Sequence, residues 1–154
     1  MALFSGKTLS MSTLPIAIAS DHAGVEMKSV LAEAIRASGL EVLDLGTDGS
    51  QSVDYPDFAD ALAVALANGQ AERGVLICGT GIGISIAANR HRHLRAALCH
   101  GVTDARLARM HNDANVIVFG ARTTGIEVAR DALASFLDTA FEGGRHARRV
   151  AKLG

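Results

Sequence analysis

The sequence has little cysteine, almost no excess of charge and no long apolar run. Two cysteines, Cys78 and Cys99, are too few for a disulfide framework, and they favour a reducing, cytoplasmic setting. A net charge of −1 gives no indication of binding to nucleic acid or to an anionic membrane. No apolar run approaches the roughly 18 residues of a membrane-spanning helix. The first 13 residues carry Lys7 as their one charge and lack the apolar core of a signal peptide.

What is present is the composition of an ordinary globular protein. The 154 residues are 49% hydrophobic and 20% charged, and this length is typical of one domain that can bury a full core. We interpret residues 1–13 as a disordered N-terminal extension in which Met11 is an alternative start. Residues 14–154 are then one domain that ends in a helical tail.

Hydrophobic periodicity predicts alternating strands and helices. Short apolar runs predict five strands, at residues 16–19, 42–45, 75–77, 96–99 and 116–119. Between them lie stripes at helical spacing, of which Met27, Val30, Leu31, Ala34 and Ile35 form the first. The other helices are predicted at about 58–66, 82–89 and 104–110, with a long one after Thr124. This alternation predicts an α/β fold, a three-layer αβα sandwich with a Rossmann-like, doubly wound, five-stranded parallel sheet.

Polar clusters follow the predicted strands, where ligands collect in such folds. Asp21 and His22 follow the first strand, and Asp54 and Tyr55 lie beyond the second. Cys78–Ser85 follows the third strand, His100 the fourth and Arg122 the fifth. His111 and Asn112 instead end the fourth helix, which places them at the opposite edge of the sheet. That placement does not suit a site within one chain, and it indicates a subunit interface.

The run Cys78-Gly79-Thr80-Gly81-Ile82-Gly83-Ile84-Ser85 is the strongest single signal of chemistry. Its glycines let the backbone turn sharply and bring N–H groups close to a ligand, and the helix that begins behind them favours an anion. The same field favours a thiolate at Cys78. The run therefore predicts an anion-stabilising pocket with its own base or nucleophile.

Five motifs in order resemble those of the B-type ribose-5-phosphate isomerases, a family that includes galactose-6-phosphate and allose-6-phosphate isomerases. They are Ser20-Asp21-His22-Ala23-Gly24, Asp54-Tyr55-Pro56, the Cys78–Asn89 segment, His111-Asn112-Asp113-Ala114-Asn115, and Glu142-Gly143-Gly144-Arg145-His146 with Arg149. The resemblance covers about residues 14 to 152. It implies an aldose–ketose isomerase that interconverts ribose 5-phosphate and ribulose 5-phosphate through an enediolate, with no metal and no cofactor.

The resemblance also implies roles for the catalytic residues. Cys78 is the base, because relatives that lack this cysteine use a glutamate at the position of Ile84, which here cannot accept a proton. Thr80 and the backbone N–H groups of the glycine loop hold the enediolate. His111 opens the sugar ring as acid and base, and Asp21 binds sugar hydroxyls and assists ring opening.

The remaining implied contacts are with the substrate and its phosphate. The substrate contacts are His22, Gly79, Gly81, Ile82, Gly83, Asn112 and Tyr55, and the phosphate contacts are His22, Arg122, Arg145 and Arg149. In the family the site forms between two subunits, so the resemblance implies a homodimer, or a tetramer built from dimers. Which subunit donates which residue stays open, and either His111 or Arg122 can come from the partner.

Each cluster also has a simpler interpretation. The glycine run could bind a dinucleotide, but it lacks the G-x-G-x-x-G spacing and follows the third strand. Cys78 could be a small buried residue, Asp21 a helix N-cap and His111 a histidine that interacts with a helix dipole. Arg145 and Arg149 share a face if the tail is helical, yet basic tails are often solvated surface. His91 and His93 lack a third metal ligand, so we interpret that segment as an exposed loop.

Rival functions follow from these alternatives. The chain could isomerise another aldose phosphate, namely allose 6-phosphate, galactose 6-phosphate or erythrose 4-phosphate. It could also be a phosphate- or nucleotide-binding module without turnover, or a nucleotide-dependent enzyme. A binding module would not need Cys78, and a nucleotide-dependent enzyme would be stabilised by a dinucleotide rather than by a sugar phosphate.

Overall fold

The computed structural model describes residues 13–154, so residues 1–12 of the predicted extension lie outside the described part of the chain. The described residues form five strands and six helices. The strands are β1 (Ile16–Ser20), β2 (Val42–Asp44), β3 (Arg73–Cys78), β4 (Ala96–Leu98) and β5 (Val116–Gly120). The helices are α1 (Val25–Ala37), α2 (Tyr55–Ala67), α3 (Ile82–Ala88), α4 (Val102–Asn112), α5 (Ile126–Asp138) and α6 (Arg145–Ala151).

All five strands are parallel, in the order β2-β1-β3-β5-β4. The chain therefore winds outward in one direction through β2 and in the other through β5 and β4, with the switch point between β1 and β3. This confirms the predicted doubly wound α/β fold. The crevice at a switch point, beyond the carboxyl ends of the strands, is the usual ligand site of such folds.

Alternating residues of the central strands belong to two separate hydrophobic cores, one on each face of the sheet. Ile16 and Ile18 of β1 pack with α1, α4 and α5, whereas Ala17 and Ala19 pack with α2 and α3. Strands buried on both faces read as continuous apolar runs, and all five residues of β1 and of β5 are indeed buried. None of the helices within residues 13–154 is long and apolar enough to cross a membrane.

The structure extends several predicted elements and divides the tail. Helix α4 begins at Val102 and ends at Asn112, so it includes His111 in its last turn. Pro56 lies in the first turn of α2, where its missing N–H costs no helical hydrogen bond. After α5 ends at Asp138, the chain turns through Gly143 and Gly144, both at positive φ, before α6 begins.

A buried lysine ties α1 to the loop that follows β2. Lys28 lies with a side chain only 3% exposed, and its Nζ donates to Asp44 Oδ1 at 2.6 Å and to Asp48 Oδ1 at 2.9 Å. Asp44 Oδ1 also accepts the backbone N–H of Gly46 at 2.9 Å. The ion pairs therefore fix the loop that leads into α2 and its N-terminal Tyr55. No motif or spacing in the sequence indicates this contact.

We expect Lys28→Met to lower the free energy of unfolding by about 1–3 kcal/mol, because three charge-assisted hydrogen bonds to Asp44 and Asp48 are lost. The cost stays below that of a fully buried pair, since Asp44 and Asp48 keep 36% and 84% of their side chains exposed. Urea denaturation measures the loss, with the exposed Lys152→Met as the matched control. An unchanged midpoint in Lys28→Met would show that the loop is held by other contacts.

Candidate active site

Polar groups follow the carboxyl ends of β1, β3 and β5 and lie at one edge of the sheet, at the switch point. In the β3–β5 register Cys78 lies beside Gly120, and in the β1–β3 register Ser20 lies beside Ile77. The residues that follow these strand ends, Asp21, Gly79 and Ala121, therefore leave the sheet side by side. We call this group, with the side chains described next, the thiol half-site; it comprises Asp21, His22, Tyr55, Cys78 to Gly83 and Arg122.

The thiol of Cys78 sits inside the turn of the glycine loop. Its side chain is nearly buried, and Sγ accepts the backbone N–H of Gly81 at 3.2 Å. Gly81 has φ +76°, and a Cβ there would lie 2.5 Å from Leu98 Cδ1 and 3.0 Å from the carbonyl carbon of Phe119. Only glycine fits this position. The hydrogen bond from the Gly81 N–H fixes the position of the sulfur at the mouth of the loop.

Arg122 is held over the loop by the backbone. Its N–H donates to the Gly79 carbonyl at 2.9 Å, and the N–H of Ala121 donates to the Cys78 carbonyl at 2.9 Å. The Arg122 side chain passes 3.7 Å from where a Cβ on Gly79 would lie. No carboxylate of residues 13–154 forms an ion pair with Arg122. Its guanidinium is therefore available to an anion beside Cys78.

Asp21, His22 and Tyr55 line the other side of this half-site. Asp21 is 6% exposed, and its Oδ1 accepts the N–H of Ala23 at 3.0 Å. Asp21 therefore caps the short 3-10 turn His22–Gly24 with one carboxylate oxygen, and not α1, whose N-cap is Gly24. His22 Nδ1 accepts the N–H of Val53 at 3.1 Å, which in the neutral ring leaves the proton on Nε2. Tyr55 packs on Gly83, where a Cβ would lie 2.5 Å from the tyrosine Cζ.

A second group of predicted site residues lies at the opposite edge. His111 and Asn112 end α4, and Arg145 and Arg149 belong to α6. We call these four residues the imidazole half-site. Asn115, which follows shortly after His111, accepts from the N–H of Gly74 at the start of β3. Strand β5 thus separates the two half-sites; its length from Val116 to Gly120, at ~3.3 Å per residue, is about 13 Å.

Arg109 anchors the end of α4 that carries His111. Its Nε donates to the Thr139 carbonyl at 3.1 Å, and its Nη1 donates to Asp113 Oδ1 at 3.0 Å and to the Ala114 carbonyl at 2.6 Å. The guanidinium also lies 5.8 Å from the centroid of the Phe136 ring. These bonds fix the turn between α4 and β5, so His111 has a defined position.

His111 has two titratable neighbours. Its ring stacks on that of His146, with centroids 4.4 Å apart and planes 14° from parallel. Glu142 lies 3.9 Å from His111 Nε2 and 4.0 Å from His146 Nε2. Burial, and then repulsion from His111 and Arg145, lowers the pKa of His146 below its ordinary value.

Cys99 and the histidines near residue 92 take no part in either half-site. Burial raises the pKa of Cys99 to about 12, with a smaller contribution from Asp104, so this thiol is inert near neutral pH. His91 bonds to Asp60 at 2.7 Å and His93 to the Ala63 carbonyl at 2.8 Å. Both histidines therefore fasten their loop to α2.

Comparison with known proteins identifies the family of the chain. Residues 16–153 match the family model described as Ribose/Galactose Isomerase. The chain belongs to the ribose/galactose isomerase family. The chain is a sugar phosphate isomerase of this family.

Individual members of the ribose/galactose isomerase family differ in substrate. The chain is 44% identical over 135 residues to ribose-5-phosphate isomerase B of Escherichia coli, covering 88% of this chain and 91% of that one. It is 42% identical over 142 residues to D-erythrulose-4-phosphate isomerase of Pectobacterium atrosepticum, covering 92% and 93%. The crystal structure of a ribose 5-phosphate isomerase from Thermotoga maritima matches with a TM-score of 0.88 at 48% identity, covering 91% and 97%.

The structure brings together part of the predicted site and separates the rest. One edge of the sheet carries the thiol half-site, which consists of Asp21, His22, Tyr55, Cys78, the loop Gly79 to Gly83 and Arg122. The opposite edge carries the imidazole half-site, which consists of His111, Asn112, Arg145 and Arg149. Arg122 thus lies at the same edge of the sheet as Cys78 and not at that of His111. The sequence prediction missed Glu142 as a neighbour of His111, although Glu142 and His146 were both part of a quoted motif.

Proposed function

We propose that the protein interconverts D-ribose 5-phosphate and D-ribulose 5-phosphate, without a metal ion or cofactor. The observation that carries this proposal is the Cys78 thiol, seated in a glycine loop that donates an N–H to its sulfur, at the switch point of a sugar phosphate isomerase fold. Both cysteines are free thiols, which supports a cytoplasmic setting. The rival interpretations as a dinucleotide enzyme or a binding module leave the thiol without a task.

Cys78 is the proton carrier in this proposal. As a thiolate it takes the proton from C2 of the open-chain aldose, and the electron pair of that bond forms the C1–C2 double bond of the enediolate. The negative charge passes to O1, where backbone N–H groups of the glycine loop and the Thr80 hydroxyl stabilise it. Cys78 returns the proton to C1, the O2 proton is lost and O1 is protonated, which completes the ketose.

The neighbourhood of Ile84 supports cysteine rather than a carboxylate as the base. Ile84 is 0% exposed and belongs to the same buried cluster as Cys78. A glutamate at position 84, as in the relatives that lack the cysteine, would arise from this same cluster, whereas the isoleucine present here cannot accept a proton.

We further propose that two copies of the chain complete one site. Ring opening needs an acid and base near neutral pH, and His111 provides it. Because β5, about 13 Å long, runs between the two half-sites within one chain, the imidazole half-site of one copy has to meet the thiol half-site of another. A two-fold axis makes both such contacts at once, so a homodimer has two sites.

The phosphate is bound by arginines from both half-sites. Arg145 and Arg149 lie one helical turn apart on α6, both exposed and without an ion pair to any described carboxylate. This is the arrangement that holds a dianion through charge-assisted hydrogen bonds. His22, through its Nε2–H, and Arg122 approach from the thiol half-site. Asn112 contacts a sugar hydroxyl, as does the carboxylate oxygen of Asp21 that the N-cap leaves free.

The glycine loop supplies a first test of this mechanism. A Cβ on Gly120 would lie 2.5 Å from the backbone carbon and oxygen of Thr80 and against the Thr123 hydroxyl. We expect Gly120→Ala to push the loop outward and to lower kcat by about 10²-fold, since a shift near 1 Å has this effect on catalytic groups. Steady-state assays of the folded variant measure it.

The matched control is Gly101→Ala, because a Cβ on Gly101 meets no atom within 4 Å. We expect this variant to keep the parent rate. If Gly120→Ala retained full activity, the N–H groups of the loop would not act on the enediolate.

A substrate panel tests the proposed function. We would measure kcat/KM for ribose 5-phosphate, erythrose 4-phosphate, allose 6-phosphate and galactose 6-phosphate, each with EDTA. The expected result is that ribose 5-phosphate is preferred and that EDTA has no effect. Erythrose 4-phosphate is the second candidate, because a relative 42% identical to this chain is a D-erythrulose-4-phosphate isomerase. A higher kcat/KM for any other sugar would replace ribose 5-phosphate, and no turnover would favour a binding module.

A further inference from the structure

Three metal-ligating groups converge beside the imidazole half-site. His111 Nε2 lies 3.9 Å from Glu142 Oε2, and His146 Nε2 lies 4.0 Å from Glu142 Oε1. One ligating atom from each residue can be chosen so that all three lie within 4.8 Å of one another. Among residues 13–154 this is the one group of three or more histidine, cysteine or carboxylate side chains that could hold a metal ion.

The donor set is typical of zinc. Two imidazole nitrogens and one carboxylate oxygen, with a fourth position open to water, form a common Zn²⁺ environment. Tetrahedral bonds of about 2.0–2.2 Å place ligand atoms roughly 3.4 Å apart, so atoms that now lie up to 4.8 Å apart have to close by about 0.5–1.4 Å. The His111 ring also has to turn out of its stack on His146, because the in-plane lone pairs of two nearly parallel rings do not meet at one ion. The Glu142 and His111 side chains, 52% and 39% exposed, can make these movements, whereas that of His146, 8% exposed, stays fixed.

The backbone holds the three residues together without a metal. The N–H of Glu142 donates to the Met110 carbonyl at 3.1 Å, which joins the segment before α6 to the end of α4. The N–H of His146 donates to the Gly143 carbonyl at 3.1 Å, and the positive φ angles of Gly143 and Gly144 allow that tight turn. The exposed Arg145 and Arg149 repel a dication, so a bound ion is exchangeable and not a structural element.

We propose that His111, Glu142 and His146 bind one Zn²⁺ ion per chain reversibly, and that the bound ion inhibits the isomerase by occupying Nε2 of His111. The inhibitory half rests on the proposed function, in which His111 opens the sugar ring. The binding half rests on the donor set alone. Isomerisation itself needs no metal, so Zn²⁺ acts here only as a removable inhibitor.

Metal binding is tested on the full-length chain in a Cys78→Ser background, so that this thiol offers no competing ligand. The probes are Zn²⁺ in calorimetric titration and Co²⁺ in visible absorption, where a four-coordinate nitrogen and oxygen site differs from the hydrated ion. We expect one ion per chain. Glu142→Gln and His146→Gln should each weaken binding at least about tenfold, the loss usual for weaker metal-site changes.

The matched control for binding is His91→Gln, because His91 also contacts a carboxylate, that of Asp60 at 2.7 Å, but lacks a third ligand. This variant should bind Zn²⁺ like its parent. Absence of binding at millimolar Zn²⁺, or binding that survives both Glu142→Gln and His146→Gln, overturns the site. Glu142→Gln alters an exposed side chain, so its result does not depend on whether His146→Gln folds.

Inhibition is tested in the chain that retains Cys78. Zn²⁺ should reduce the rate of isomerisation, and EDTA should restore it. Glu142→Gln should need at least about ten times more Zn²⁺ than the parent for the same fractional loss of rate, when each protein is compared with its own metal-free rate. Equal inhibition of parent and Glu142→Gln would place the effect at another ligand such as Cys78 and overturn the inhibitory half. Failure of the proposed function gives a different result: the protein shows no turnover in EDTA, although the calorimetric titration still detects Zn²⁺ binding.

Discussion

Replacing Cys78 with alanine is expected to lower kcat/KM for ribose 5-phosphate by on the order of 10²–10⁴, the usual contribution of a general base. This variant loses the Gly81 N–H bond to sulfur but keeps the backbone bonds of Ala121 and Arg122 to the loop carbonyls, which hold the glycine loop in place. Substrate binding should therefore change little, and the loss should fall on kcat. Steady-state assays with EDTA give both constants.

A second readout separates the base from a mere packing role. In D₂O the parent should incorporate deuterium at the reacting carbon, and Cys78→Ala should lose this exchange together with turnover. The matched control is Cys99→Ala, which removes the other buried thiol and should retain activity and exchange. If Cys78→Ala kept the parent rate, another group would be the base and the proposed mechanism would be wrong.

Mixing two inactive variants is expected to restore activity if each site takes one half-site from each of two chains. Cys78→Ala and His111→Asn should each be nearly inactive alone. When they are refolded together in equal amounts, half of the dimers combine both chains, and each of these has one site with neither defect. The mixture should then recover about a quarter of the parent activity, as two-fold symmetry requires.

The two edges of the sheet provide the controls. Arg149→Met lies in the imidazole half-site, so its mixture with Cys78→Ala should also recover activity. Arg122→Met lies in the thiol half-site, at the Gly79 loop. Mixing it with Cys78→Ala leaves every site defective, and no activity should return. Complementation by Arg122→Met, or none by His111→Asn, would contradict the assignment of half-sites to chains.

Local patterns were sufficient to predict the strands and most of the helices. The continuous apolar runs at β1 and β5 predict strands buried on both faces, and the two cores explain why alternate residues such as Ile16 and Ala17 are both apolar. The position of His111 in the last turn of α4 also followed from the chain order, because a helix that follows a parallel strand returns to the opposite edge. The strand order β2-β1-β3-β5-β4 could not be predicted from the chain order, because strand pairing depends on the position that each crossover helix reaches.

Contacts between distant segments were the part that sequence could not provide. Lys28 reaches Asp44 and Asp48 because α1 packs beside β2, and no spacing along the chain encodes that approach. Glu142 meets His111 because the turn at Gly143 and Gly144 brings the segment before α6 onto α4. Arg122 and Arg145 were both predicted to contact the phosphate. The sequence does not indicate that they lie at opposite edges of the sheet, because that depends on how the sheet assembles.

The position of Tyr55 has a consequence for spectroscopy. The chain contains one tyrosine and no tryptophan, so its intrinsic emission comes almost entirely from a single ring. That ring is 39% exposed and rests on Gly83, within the loop that begins at Cys78. Every molecule thus carries an unlabelled optical reporter at the thiol half-site, and a ligand that settles against the loop changes the quantum yield of the whole protein.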